Sequence, residues 1–218
     1  MSIEHQKGGK MGKSKYVITI TRQFGSMGRP IAKLMAKKLG IEYYDRDIVD
    51  QAAEKLDLPV SKINENEEKV KAKIKSPFVG MMYPFGPAPR AATSDTQDKI
   101  FQTQKNIIQF LAEKDTCIIV GRCSDFVLSD MENAMHIYIY ASYEARLQHC
   151  IEDLGMEEEE ARKMITAVDK AREAYHMEYA GYKPDDKRFK DILIDSSFLG
   201  VEGTADFLVD AIKRKFGE

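Results

Sequence analysis

Residues 17–32 read VITITRQFGSMGRPIA, and the fold is decided there. The β-branched run Val17–Thr21 predicts a strand. A loop carrying Arg22, Gly25, Gly28 and Arg29 follows. Ile31, Leu34, Met35 and Leu39 then recur at helical spacing, which predicts a helix over Pro30–Leu39, stopped at Gly40. Strand, glycine turn and helix is a geometry that binds phosphate: unpaired N–H groups at the helix start point at the anion and the helix dipole favours negative charge. Gly25 and Gly28 let backbone approach a ligand, and Arg22 and Arg29 can add charge-assisted hydrogen bonds. A tight strand-to-helix turn without a ligand is the competing reading.

The loop departs from the Walker pattern G-x-x-x-x-G-K-[ST]. Aligned on Gly28-Arg29, it has Gln23 at the first glycine, Arg29 at the lysine and Pro30 at the hydroxyl that holds magnesium. Upstream, Gly12-Lys13-Ser14 imitates the end of that pattern, but Lys7 takes its first glycine and no strand precedes it. Residues 1–15 read as a disordered basic tail.

Further along, a short strand at Ile41–Tyr44 leads to Asp45, and a helix is predicted over Asp47–Leu56. Residues 60–75, VSKINENEEKVKAKIK, suit a charged, solvated helix. Residues 76–95, SPFVGMMYPFGPAPRAATSD, hold four prolines and two glycines and so cannot be a regular helix or central strand. A flap on the substrate side or plain disorder fits them. A long helix over Thr96–Lys114 precedes the apolar run Cys117–Val120, a strand covered on both faces that ends in Gly121-Arg122. A strand at Met135–Ala141, helices at Tyr143–Leu154 and Glu157–Tyr179, a strand at Asp191–Asp195 and a helix at Val201–Phe216 complete the pattern. This alternation predicts an α/β three-layer sandwich with a five-stranded, mostly parallel sheet.

The 218 residues suit one such domain, and a net charge of -2 argues against a general nucleic-acid binder. Cys117, Cys123 and Cys150 form no paired framework, which fits a reducing cytoplasm, and they read as small buried residues. No apolar run is long enough for a membrane span or a secretory signal.

Ligands of such sheets sit outside the carboxyl ends of the strands. That rule collects Arg22 and Arg29 with their glycine loop, Asp45 with Asp47, and Gly121 and Arg122 with Asp125 nearby. On the long charged helix, Arg162, Asp169, Arg172 and His176 fall along one stripe, with Met164, Ile165 and Val168 nearer the opposite side. The stripe suits either a phosphate grip or an ordinary salt-bridged surface.

Taken together, ITRQFGSMGRPIAKLMAKKLG (20–40), YYDRDIV (43–49), IIVGR (118–122), Asp169-x-x-Arg172 and ILIDSS (192–197) resemble the cytidylate kinase-like family in content and order. The resemblance implies a P-loop nucleoside monophosphate kinase fold in residues 16–218, with an acceptor-binding region at about 46–95 and a lid at about 146–188. It implies ATP-dependent phosphoryl transfer to a nucleoside monophosphate, CMP or dCMP, with ATP and Mg²⁺. Small-molecule nucleotides would be its partners, with no nucleic acid, membrane or obligate protein partner. By matching positions, Arg22, Gly25, Ser26, Met27, Gly28 and Arg29 would cradle the ATP phosphates. Asp45, Arg122, Asp169 and Arg172 would hold the acceptor. Arg29, Asp45, Arg122 and Arg172 would act in transfer. Arg146 and Arg162 would belong to the lid, and Ser26 is the candidate magnesium hydroxyl. Val120 and Cys123 replace the two aspartates that flank glycine and arginine in the family's pattern. A kinase with a non-nucleotide acceptor and an inactive nucleotide-binding module are the alternatives.

Overall fold

The computed structural model describes residues 15–45 and 94–217. The readings of residues 1–15 as a tail (all but Lys15), of helices at 47–56 and 60–75, and of a flap over 76–95 (all but its last two residues, Ser94 and Asp95, which are helical) lie outside them, as does most of the expected acceptor-binding region.

β1 (Val17–Arg22) is buried through Ile20, as its β-branched run requires. α1 (Gly28–Leu39) starts two residues earlier than its periodicity suggests, because Met27 takes the capping position in the left-handed region. Gly40, at φ 66°, closes it by donating to the Ala36 carbonyl. β2 (Glu42–Tyr44) follows. The described chain resumes in α2 (Ser94–Lys114), β3 (Cys117–Val120), the one-turn α3 (Ser124–Val127) and β4 (Ala134–Tyr140). Then come α4 (Tyr143–Glu152), α5 (Glu158–Ala180), a 3₁₀ turn at Lys187–Phe189, β5 (Ile192–Asp195) and α6 (Ser196–Phe216). α6 is longer than its pattern suggests, since an Asp195-capped turn precedes a break at Gly200.

The strand order is β2-β3-β1-β4-β5, and every pairing is parallel, where the sequence suggested a mostly parallel sheet. Each connection must therefore cross over, and the helices cover the faces. Ile18, Ile20, Ile118, Ile137 and Ile139 pack under α1 and α6 with Ile31, Met35, Leu208 and Ile212. Val17, Cys117 and Ile119 face the other way, against Ile108, Ala112 and Leu128. A third cluster joins Phe24 of the glycine loop to Cys150 on α4 and to Ala161, Met164, Ile165 and Val168 on α5. That cluster docks α5 onto the loop and so brings Asp169 and Arg172 to the end of β1.

Candidate active site

The chain leaves β1 through a turn held from three sides. The Gln23 N–H donates to the Ile139 carbonyl at 3.1 Å, and the Gln23 side-chain oxygen accepts from the Ala141 N–H at 3.2 Å. The Phe24 N–H donates to Asp169 Oδ1 at 2.7 Å. The Ser196 hydroxyl donates to the Ser26 carbonyl at 2.7 Å. Gly25 (φ 76°) and Met27 (φ 59°) are left-handed and turn the chain into α1. Among the described residues, no acceptor takes the N–H groups of Gly25, Ser26, Met27, Gly28 and Arg29. N–H donors at a helix start are of the kind that can receive an anion.

Three guanidinium groups crowd beside it. Arg22 is half-buried, and no acceptor among the described residues bonds its side chain. Burial, reinforced by Arg172 and Arg29, holds its pKa well below the usual arginine range. Arg172 donates to the Arg22 carbonyl at 3.1 Å. Burial lowers its pKa to about 10, with Asp169 opposing and Arg29 adding to the shift. Arg29 places Nε 3.9 Å from Asp45 Oδ2, at the outer limit of an ion pair, and that Nε is buried without a hydrogen bond among the described residues. Asp45 itself is buried at the end of β2 and accepts from the Tyr43 hydroxyl at 3.2 Å. Burial, with Asp45 adding, pushes the Tyr43 phenol up, so it stays a donor.

Glycine makes room for Arg22. A Cβ on Gly28 would lie 2.9 Å from Arg22 Cβ, and a Cβ on Gly121 would lie 2.9 Å from Arg22 Nη1. Gly121, Arg122 and Cys123 all have positive φ (82°, 59° and 52°), so Arg122 leaves β3 on a left-handed turn. Like-charged groups this close raise the local potential and call for an anion between them.

Several expected residues therefore converge: Arg22, Gly25, Ser26, Met27, Gly28, Arg29, Asp45, Asp169 and Arg172. Others are placed differently. Ser26 is turned inward, its hydroxyl donating to the carbonyls of Gln23 (3.0 Å) and Ile139 (3.1 Å), so it is not poised to hold a metal. Arg146, at the start of the expected lid, is buried, pairs with Asp169 and donates to the Phe24 carbonyl at 3.3 Å. It is a strut of the loop. Arg162 lies exposed on α5, bonded to Glu158 at 2.6 Å and to the Tyr143 hydroxyl at 3.4 Å. The stripe thus divides: Arg162 lies on the exposed side of the first turns of α5, while Asp169 and Arg172 further along meet the glycine loop. His176 is buried as well, against Asp125 (3.0 Å) and the Tyr182 carbonyl (2.7 Å).

Sequence reasoning missed two groups. Gln23 anchors the loop to β4 through both backbone and side chain. Lys190, with its side chain fully enclosed, bonds Asp125 at 2.5 Å. Neither residue type signals such a role, since the partners lie far apart in the chain. All three cysteines are free and buried, as expected, and burial pushes the Cys117 thiol up to about 12. No group of three or more His, Cys, Asp or Glu side chains among the described residues is placed to hold a metal. None of their helices is long and apolar enough to cross a membrane.

A sequence model described as the cytidylate kinase-like family matches residues 17–198. A solved structure of an uncharacterized protein from Eubacterium ventriosum is 26% identical, with a TM-score of 0.68, covering 91% of this chain and 99% of that one. A gluconokinase from Sinorhizobium meliloti shares the fold at 11% identity, with a TM-score of 0.52 over 94% of this chain and 96% of that one. No curated protein matches the sequence.

Proposed function

We propose, on the premise that this chain belongs to the cytidylate kinase-like family, that it transfers the terminal phosphoryl group of ATP to a nucleoside monophosphate, CMP or dCMP. The observation that carries this reading is the crowding of Arg22, Arg29 and Arg172 beside five loop N–H groups that no acceptor among the described residues takes. Phosphoryl transfer is mostly positioning and charge neutralisation, and such an array supplies both.

The loop amides of Gly25–Arg29 would hold the ATP phosphates. Arg22 and Arg172 would face the negative charge spread over the transferred group. Arg29, only weakly held by Asp45, is free to turn toward that charge. Asp45, Arg122 and Asp169 would orient the acceptor. No strong base is required, because a monophosphate oxygen is already anionic at neutral pH. Magnesium asks for few protein ligands beyond one or two carboxylates, water and phosphate oxygens. With Pro30 at the hydroxyl position and Ser26 turned inward, Asp45 is the described carboxylate that would hold it. Bound there, magnesium would help neutralise the phosphates. In this proposal residues 46–95 supply the acceptor-binding region and 146–188 the lid, with Arg146 serving as hinge-side support.

One observation favours a second acceptor class. Cys123 stands where the family's pattern sets an aspartate, and it is buried, so it cannot meet a nucleotide as that aspartate would. A coupled assay with ATP and Mg²⁺ across CMP, dCMP, UMP, AMP and a panel of sugar and hydroxy-acid acceptors separates the readings. CMP or dCMP should turn over at least about tenfold faster than the rest, a margin worth ~1.4 kcal/mol. Transfer to a non-nucleotide acceptor would replace the acceptor assignment. ATP binding with no transfer to any acceptor would leave a binding module.

A further inference from the structure

Gly121, Arg122 and Cys123 are three consecutive left-handed residues, and two of them carry side chains that rarely adopt that conformation. Such a turn persists only where its surroundings over-determine it. Its own backbone takes part in three bonds: the Gly121 N–H to the Ile20 carbonyl at 2.9 Å, the Ser124 N–H to the Gly121 carbonyl at 3.1 Å, and the Val127 N–H to the Cys123 carbonyl at 2.9 Å. Two residues beyond the turn, a buried carboxylate ties the start of α3 to other elements. Asp125, on α3, is almost wholly enclosed. Its carboxylate accepts from Lys190 at 2.5 Å, meets His176 Nε2 at 3.0 and 3.2 Å, and accepts from the Tyr182 hydroxyl at 3.4 Å. His176 Nδ1 in turn meets the Tyr182 carbonyl at 2.7 Å, and the Tyr182 ring stacks on Phe189 with centroids 3.9 Å apart.

These partners come from different elements. His176 lies one helical turn beyond Arg172 on α5, and Lys190 precedes β5. Between the turn and the helix lies Arg22, with Nη1 against Gly121 and its carbonyl bonded by Arg172. We propose that Asp125 is a positioning residue: its carboxylate locks the 121–123 turn to α5, and so fixes Arg122 relative to Arg22 and Arg172 across the phosphate site. The lock stands on geometry alone, while its effect on catalysis rests on the phosphoryl-transfer reading.

The test uses the full chain with His176→Gln, Asp125→Asn and Arg122→Ala, alone and in pairs. Initial rates with ATP and CMP give kcat and KM separately. Misplacing a charged group by a fraction of an ångström should lower kcat/KM for CMP by about tenfold in His176→Gln, with KM for ATP nearly unchanged. The same change in an Arg122→Ala background should cost less than about twofold, because the lock acts through that arginine. An equal loss in both backgrounds, or wild-type kinetics in folded His176→Gln, overturns the proposal. Amide exchange gives a reading independent of activity. Amides 121–124 should exchange about tenfold faster in His176→Gln, or in Asp125→Asn where it folds, while those of α1 hold their protection. Unchanged exchange at 121–124 overturns the lock. A wild-type chain inactive with CMP but showing that exchange response would count against the CMP reading and leave the lock standing.

Discussion

Replacing Gly121 with alanine isolates what Arg22 does. Two effects follow from the structure. The backbone sits at φ 82°, where an L side chain costs about 1–2 kcal/mol. The new Cβ would also lie 2.9 Å from Arg22 Nη1, so the guanidinium must retreat by about 0.6 Å to reach an ordinary ~3.5 Å contact. Because that atom ends a flexible side chain, it can move, and the second effect falls on placement rather than on stability. Gly40→Ala provides the control: its φ is 66°, yet nothing lies within 4 Å of the added Cβ. Both variants should lose about 2–8 °C in Tm, taking about 2–4 °C per kcal/mol for a chain of this size. Only Gly121→Ala should lose turnover, by about tenfold, since a full 1 Å misplacement can cost about a hundredfold. Thermal melts and the coupled assay, run on both variants and the wild type, read the two effects separately. Equal turnover in Gly121→Ala and Gly40→Ala would refute the placement of Arg22 as a working part of the site.

Arg29→Ala should lower turnover by about a hundredfold or more at little cost in Tm, because one donor to transition-state charge is worth several kcal/mol; near-wild-type turnover would remove the glycine loop from the chemistry. Asp169→Ala strips the partner from buried Arg146 and from the Phe24 N–H. It should destabilise by about 3 kcal/mol, the low end for a broken buried pair, because Asp169 keeps a quarter of its side-chain surface. A midpoint shift in urea well below that would show the strut to be dispensable. For Asp125, burial alone would raise the pKa, but the hydrogen bond from His176 and the Lys190 ammonium outweigh it and hold the carboxyl well below the usual range. A depressed folded pKa means that stability is present above the unfolded value near 3.9 and is lost as pH falls below it. Urea midpoints measured from pH 7 downward should fall below about pH 4 in the wild type, and less steeply in Asp125→Asn. Parallel acid limbs would sink that assignment.

What could be read in advance was local. The β1–turn–α1 unit is written in sixteen contiguous residues, and the alternation of apolar strands with periodic helices led directly to the parallel sheet. Element ends moved where backbone conformation, not hydrophobicity, sets them. α1 begins at Gly28 because Met27 is left-handed, and α6 begins at Ser196 because Asp195 caps a turn before the Gly200 break. α3 escaped notice because four residues carry no period. The stripe on α5 shows the limit of helical spacing. Spacing tells which residues share a face but not what covers it. Arg162 therefore shares a face with Asp169 yet meets solvent, while His176 meets a carboxylate 51 positions away.

The glycines of the loop carry a further lesson about charge. In the sequence they look like devices for bringing backbone close to a ligand, and Arg29 looks like a stand-in for the missing lysine. The structure gives them an additional task. Gly28 and Gly121 leave space that Arg22 fills, and a Cβ on Gly25 would lie 3.0 Å from the Arg146 carbonyl and 3.1 Å from its Cβ. The loop is thus packed against the chain's own arginine-bearing segments from strand, turn and helix. A lysine of the Walker type is one flexible point charge, whereas guanidinium groups seated in glycine-made gaps are fixed in direction. Loss of one such gap should therefore disturb phosphate recognition through the arginine it houses, not through the backbone it frees.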